Sequence, residues 1–468
     1  MSDLALLGGV AVRNKPFALD PMVDHMEEEF VLSAIRDNNF SRYIGANSPT
    51  LKDTLLLPSK DLLDLNEPWS FFGGPNVRHF SAEFAEALDV PYAIPVNSAT
   101  TGLSVGLAAA GVGPGDEVIM PAISFSATAS AAIMIGAIPV FVDVLSDTFC
   151  IDPAKIEAAI TPRTKALLPV HLTGNVSDMD AIMEIATVHG LAVIEDAAQA
   201  IGAKWNDRFA GTLGDCGVFS FQQSKNIMTG EGGMIVTRSS EVARRARLLV
   251  NHGEVAFEDD ATDEELFNTI GFNFRMPELC AALGRAQIRK LNAVNTWRSQ
   301  NSEILSDGLK GLPGVVLPQR QDGSSNATAV PHMFVALYDP DGLSGVSRTV
   351  FVAALRAEGI PIGTGYVRTL YQSPHFMRRT ALGSNGWPWK TDSRNSDVHY
   401  ANGQCTVAEA LLDEQFLWFY QIAHPSTADD MKDIISGVQK VVQNHQDLVG
   451  VDEGDLGELM RRSQGRIV

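Results

Sequence analysis

Cysteine is scarce: Cys150, Cys216, Cys280 and Cys405 are the four in 468 residues, they lie far apart, and no CxxC pair occurs. This excludes a disulfide framework and leaves reduced, buried thiols as the expectation. Positive charge is also short. Lys and Arg number 36 against 56 Asp and Glu, a formal net charge of -20 that repels nucleic acid and anionic membrane alike. Neither is an expected partner. An uncharged run from Ala122 to Val142 is long enough to span a bilayer, but Ser124, Ser126, Thr128, Ser130, Gly136 and Pro139 interrupt it. It reads as a buried helix followed by a strand. The apolar stretch Leu4 to Val12 has neither a basic segment before it nor a small-residue cleavage signal after it, so a cytoplasmic protein without a secretory leader is expected. Repeats and low-complexity tracts are missing, as is any set of His, Cys and carboxylates at metal-ligand spacing. No metal is expected.

What is present is ordinary for a folded soluble chain: 45% hydrophobic and 20% charged residues, over a length that exceeds one compact core. Residues 1–79 read as an irregular N-terminal arm, with turns at Gly45 to Pro49 and at Gly73 to Pro75 and an insertion near 51–69. From Phe80 onward, short apolar runs alternate with amphipathic stretches. Strands are expected at Tyr92 to Val96, Glu117 to Met120, Pro139 to Val142, Ala166 to Pro169, Ala192 to Ile194, Gly217 to Phe221 and Met234 to Val236. Such alternation predicts an α/β fold with a mostly parallel sheet between helices, the large domain spanning 80–325. A long helical region from Pro277 to about Gln300 leads to a smaller C-terminal α/β domain, 326–468, with elements at Met333 to Leu337, Thr349 to Glu358 and Ala428 to Gln443.

Four local motifs bear on chemistry. Lys225 stands in Ser-Phe-Gln-Gln-Ser-Lys-Asn, just after an apolar strand and before the glycine-rich Thr229 to Gly233. An isolated lysine beside a glycine turn would be a solvated loop residue. Here Asp196 ends another strand, in Glu195-Asp196-Ala197-Ala198-Gln199, at the carboxyl edge where parallel sheets bind ligands; alone, it reads equally well as a helix N-cap. Ser98-Ala99-Thr100 opens a helix directly after a strand, where amides can cradle a phosphate. Ser220, five residues before Lys225, offers a hydroxyl to the same group, and Phe125 offers a ring to stack on. An imine lysine, a carboxylate for a pyridinium nitrogen, phosphate donors and a stacking ring are what pyridoxal 5'-phosphate (PLP) requires. Gln199 is then placed to reach the ring oxygen. His171 follows a strand end and suits either the site or a hydrogen-bonded structural role.

These blocks, with Leu7-Gly8-Gly9, Gly115-Asp116-Glu117-Val118, Pro139 to Asp143, Pro169-Val170-His171-Leu172, Gly271 to Met276 and Ile422-Ala423-His424-Pro425, resemble the DegT/DnrJ/StrS family of sugar aminotransferases, fold type I. The resemblance covers nearly the whole chain. It implies Lys225 as the Schiff-base lysine, Asp196 as pyridinium partner, Gln199 at the ring oxygen and Phe125 in stacking. It further implies Ser98, Ala99, Thr100 and Ser220 at the phosphate, joined by Asn273, and with it Arg275, from the neighbouring subunit of a homodimer with shared active sites. Departures are Ala99 where the family has Gly, Ser81 in place of an acidic residue, the insertion near 51–69, and Gly365-Tyr366-Val367-Arg368 where a His-Tyr pair is common.

The resemblance implies transfer of an amino group from L-glutamate or L-glutamine to a keto-sugar or keto-cyclitol, in biosynthesis of an amino sugar, an aminocyclitol or another natural product. An aminobenzoate-type synthase, which keeps the lysine and eliminates water, is the alternative, whereas Lys225 argues against dehydratases carrying His there. A regulatory protein on the same fold would be marked by degraded cofactor residues, and Lys225, Asp196, Gln199 and Ser220 are all present.

Overall fold

The structure, a computed structural model, describes residues 2–18, 20–44, 54–65, 69–253, 270–319, 321, 326–366, 368–383, 385–391 and 394–457. The expected turn at Gly45 to Pro49, parts of the insertion (51–53 and 66–68) and Val367 lie outside them. Seven strands form the main sheet: β1 Tyr92–Val96, β2 Glu117–Pro121, β3 Ile138–Val142, β4 Thr164–Leu167, β5 Ala192–Asp196, β6 Cys216–Ser220 and β7 Gly233–Thr237. Their order is β1-β7-β6-β5-β4-β2-β3. The pairs from β6 to β3 are parallel, and β7 alone runs antiparallel to both neighbours. Strands such as β2 and β7 are buried at every residue, which is why they read as continuous apolar runs instead of alternating ones. Helices α1 His25–Arg36, α2 Pro75–Ala87, α3 Ala99–Ala109, α4 Ser126–Met134, α5 Met179–His189, α6 Ser240–Val250, α7 Glu278–Arg289 and α8 Leu291–Leu309 accompany them.

Helix α3 packs close against β6. A Cβ on Gly102 would stand 2.8 Å from Val218 Cγ1, and one on Gly106 2.9 Å from Cys216 Sγ, so glycine at both positions permits the approach. The helix axis is thereby fixed over β6, and its first turn over the end of that strand.

A second, antiparallel sheet joins β8 Val315–Val316, β9 Phe334–Tyr338, β10 Gly363–Thr364 and β11 Phe416–Phe419 in the order β8-β9-β11-β10. Helices α9 Arg348–Ala357 and α10 Ala428–Gln443 pack with it, in a core that takes in Leu4, Leu6, Leu305 and Leu309. The start of α10 is set by a Thr427/Asp430 capping box, and its apolar face buries Ile434, Val438 and Val441, each contributing about 1.5–3 kcal/mol relative to exposure.

Three expectations differ from the structure. The arm is not wholly irregular, because α1 forms within it behind an Asp24/Glu27 capping box. The helical region after Pro277 breaks at Lys290, whose ammonium turns to Glu27 (2.6 Å) and Asp24 (2.9 Å). Strand β4 starts two residues early, at Thr164, and Pro169 instead offers its carbonyl to the Asp196 amide (2.9 Å). The stretch Ala122 to Val142 is α4 followed by β3 as expected, and among the described residues no helix is long and apolar enough to cross a membrane. Cys150, Cys216 and Cys405 are buried free thiols, while Cys280 is half-buried.

Candidate active site

The carboxyl ends of β5 and β6 and the amino end of α3 converge. Asp196 ends β5 and is 5% exposed. Its Oδ2 accepts from Thr128 Oγ1 on α4 (2.7 Å) and its Oδ1 from the Ala198 amide (3.2 Å). Ser124 Oγ lies 2.6 Å from Thr128 Oγ1 and, with Thr128's proton committed to Asp196, donates to it. Burial pushes the Asp196 carboxyl above its ordinary range, against the downward pull of Thr128, Ala198, Lys225 and His171.

Lys225 is half-buried in the turn between β6 and β7, its amide donating to Gln222 O (2.8 Å). Burial lowers its ammonium to about 8, with the Arg298 charge acting in the same direction and Asp196 opposing. A lysine so placed gives up its proton far more readily than a free one. Its neighbour Asn226 is pinned: Nδ2 donates to Asn295 Oδ1 on α8 (3.0 Å), and His332 Nδ1 lies 3.3 Å from Asn226 Oδ1. His332 is fully buried, and its ring is held well below the usual imidazole range by burial and by the Lys225 and Arg298 charges. It is therefore neutral, with Nδ1 donating to Asn226. Arg298, 5% exposed, donates from Nη1 to His332 O (2.7 Å).

Ser98 caps α3, its Oγ accepting from the Thr101 amide (3.2 Å). The Ala99 and Thr100 amides occupy the first turn, where the helix leaves donors without intrahelical acceptors. Gly233, paired with Ser220 across β6 and β7, passes directly beneath: a Cβ there would stand 2.7 Å from Ala99 N. The close approach sets the β6–β7 ladder, with Ser220 at its end, beside the start of α3 that carries Ser98, Ala99 and Thr100. Phe125 precedes α4 and is 62% exposed, an open ring on the loop leading from β2 to Thr128.

Gln199 is 8% exposed and committed at both ends. Oε1 accepts from the Thr173 amide (2.8 Å), and Nε2 donates to Tyr366 Oη (2.8 Å). His171 proves structural in its contacts. Buried completely, it donates from Nε2 to Glu195 Oε2 (2.8 Å) and accepts at Nδ1 from the Ser177 amide (3.2 Å). Asn273 is exposed and accepts from Arg275 Nε (2.9 Å), in a segment tied to the end of β1 through Asn97 N to Phe274 O (2.8 Å). Thr128, His332, Arg298, Thr173 and Tyr366 were not among the candidates read from sequence. Each reaches the site across a fold contact with no local motif, although Tyr366 stood in the divergent Gly365 to Arg368 segment.

A poised lysine, a buried carboxylate and a helix start gathered at the carboxyl edge of this sheet define an enzyme of the fold-type I aminotransferase class. The chain belongs to the DegT/DnrJ/EryC1/StrS aminotransferase family, whose model matches residues 61–393. It is 34% identical over 459 residues to an L-glutamine:2-deoxy-scyllo-inosose aminotransferase of Streptomyces lividus, covering 95% of this chain and 99% of the relative. Two solved structures are similar throughout. A 3-amino-5-hydroxybenzoic acid synthase superposes with a TM-score of 0.73 at 26% identity, covering 92% of this chain and 100% of the other. NtdA of Bacillus subtilis, solved with bound cofactor PMP, gives 0.68 at 28% identity, covering 90% and 83%.

Proposed function

We propose that the chain binds PLP on Lys225 and transfers the amino group of L-glutamine or L-glutamate to a ketone of a keto-cyclitol or keto-sugar, in the making of an aminocyclitol or amino sugar. The carrying observation is that Lys225 and the buried carboxylate of Asp196 stand close enough at the carboxyl edge of the sheet to act on one another's protonation. The glutamine-dependent relative supports the donor and the cyclitol class. The chain's own groups fit the cofactor: Gly233 leaves room under α3, and Ser98, Ala99, Thr100 and Ser220 supply neutral donors for a phosphate.

Bound PLP supplies an electron sink for the amino-bearing carbon. Asp196 holds a proton on the ring nitrogen, and Thr128 fixes which carboxylate oxygen is free to do so. Lys225, once displaced, carries a proton at Nζ between the substrate carbon and the cofactor, in both directions of the exchange. The exposed ring of Phe125 would be free to stack on the cofactor and shield it from water. Asn273 of a partner subunit completes the phosphate site in a homodimer, which we place in the cytoplasm.

A second reading has an observation behind it, the similarity to the aminobenzoate synthase. One assay separates the two. Incubating the PLP-loaded enzyme with L-glutamine and a keto-cyclitol should yield an amine and no new ultraviolet chromophore; an aromatic product band would favour the synthase. Failure to bind PLP would sink both.

A further inference from the structure

Tyr366 lies where the chain departs from the family's His-Tyr pattern, and its hydroxyl has a hydrogen left over. Backbone amides donate only, so the Thr173 N–H (2.8 Å) identifies the Gln199 atom it meets as Oε1, and the other end of that side chain is its NH2. That NH2 faces Tyr366 Oη at 2.8 Å, which makes the phenol the acceptor of this bond. The phenol's own proton must go elsewhere. Among the described residues none accepts it, although Tyr366 is largely enclosed by the aromatic and aliphatic side chains of the main core. Burial also raises the phenol's proton affinity, keeping the hydrogen in place at any working pH. A half-buried hydroxyl keeps that hydrogen for solvent or a bound group.

We infer that Tyr366 donates a hydrogen bond to the anionic oxygen on the ring of the bound cofactor, and that Gln199 holds Tyr366 in that position. This rests on the PLP reading given above. Two features favour a cofactor oxygen over a substrate hydroxyl. Tyr366 is anchored three residues from Asp196, the partner of the ring nitrogen, and its electrostatic neighbours include Asp196 itself. The backbone carrying it is fixed as well: Gly365 donates from N to Phe416 O (3.2 Å) and accepts from Trp418 Nε1 (3.3 Å), so the loop is pinned to β11.

The consequence is spectroscopic and needs no substrate. The ring oxygen carries its full negative charge when the lysine–cofactor linkage is unprotonated, so a donor there lowers the linkage's proton affinity. With Tyr366→Phe, the midpoint of the visible-band titration should rise by about one pH unit, roughly tenfold in proton affinity. Incorporating 3-fluorotyrosine at 366 makes the phenol a stronger donor without changing its shape, and the midpoint should fall. Circular dichroism checks that the Phe variant folds; if it does not, the fluorotyrosine protein decides alone. Unshifted midpoints would overturn the inference, as would an unshifted Phe midpoint joined to a raised KM for the keto acceptor. If wild-type protein binds no PLP, the parent reading fails instead.

Discussion

Replacing Thr128 by valine swaps a hydroxyl for a methyl at a position with no exposed surface, so shape is kept while the hydrogen bond from Ser124 and the one to Asp196 are lost. That bond, 2.7 Å to Asp196 Oδ2, is the largest of the influences opposing the upward push of burial on the Asp196 carboxyl. A hydrogen bond to a charged group contributes about 1.5–3 kcal/mol, and one pKa unit corresponds to about 1.4 kcal/mol. Its removal should therefore raise the Asp196 carboxyl further. The ionised form is the one that holds the ring proton, so the acid limb of kcat/KM should move toward neutrality, with the rate recovering at alkaline pH. Thr128→Ser keeps the donor and should keep the wild-type profile. The assay is the pH dependence of the donor half-reaction, followed by loss of the cofactor's visible band. A Thr128→Val profile that superimposes on the wild type would refute the reasoning, because Asp196 would then owe nothing to its partner.

Lys225→Met should stabilise the cofactor-free protein. A lysine lowered from 10.5 to about 8 costs the folded state fully below pH 8, less as pH rises, and nothing above 10.5. Urea denaturation at several pH values should show a gain for Met that fades across this window; a constant gain would mean packing, not charge. Glu195→Gln should destabilise by about 3–5 kcal/mol, since the fully buried carboxylate accepts from the Gly211, Leu213 and Gly214 amides (each 2.7 Å) and from His171, and an amide would turn N–H against N–H. A loss under about 1 kcal/mol, the size of an average substitution, would show that the cluster relaxes easily. Mixing Lys225→Ala with Asn273→Ala/Arg275→Ala protein should restore activity if partner subunits share sites, because half of the mixed sites are then intact. No recovery would assign each site to one chain.

How far the site was legible follows from how each residue reaches it. Lys225, Asp196 and Ser98 follow strands within a few positions, and a strand end in a parallel sheet is itself a geometric statement about where side chains meet. The strands were legible for the same reason: buried on both faces, they appear as short apolar runs between turns. Thr128 sits 68 residues from the carboxylate it serves, and Tyr366 is 167 residues from Gln199. No spacing rule links them, because the contact is made by the packing of α4 on the sheet and by the loop leaving β10. His332 and Arg298 were hidden similarly, on β9's approach and on α8. The α1 capping box, Asp24-His25-Met26-Glu27, lies in an arm otherwise rich in turn residues, which leaves it little periodic signal to join. His171 shows the converse, since its place after a strand suggested the site while the Glu195 and Ser177 contacts give it a structural role.

The central claim is that Lys225 bears the cofactor. Protein loaded with PLP, reduced with borohydride and digested should yield one pyridoxyl-labelled peptide, with the label on Lys225 in the Ser220 to Asn226 segment, and the Lys225→Ala variant should yield none. Label on another lysine, or undiminished labelling of the variant, would contradict the account.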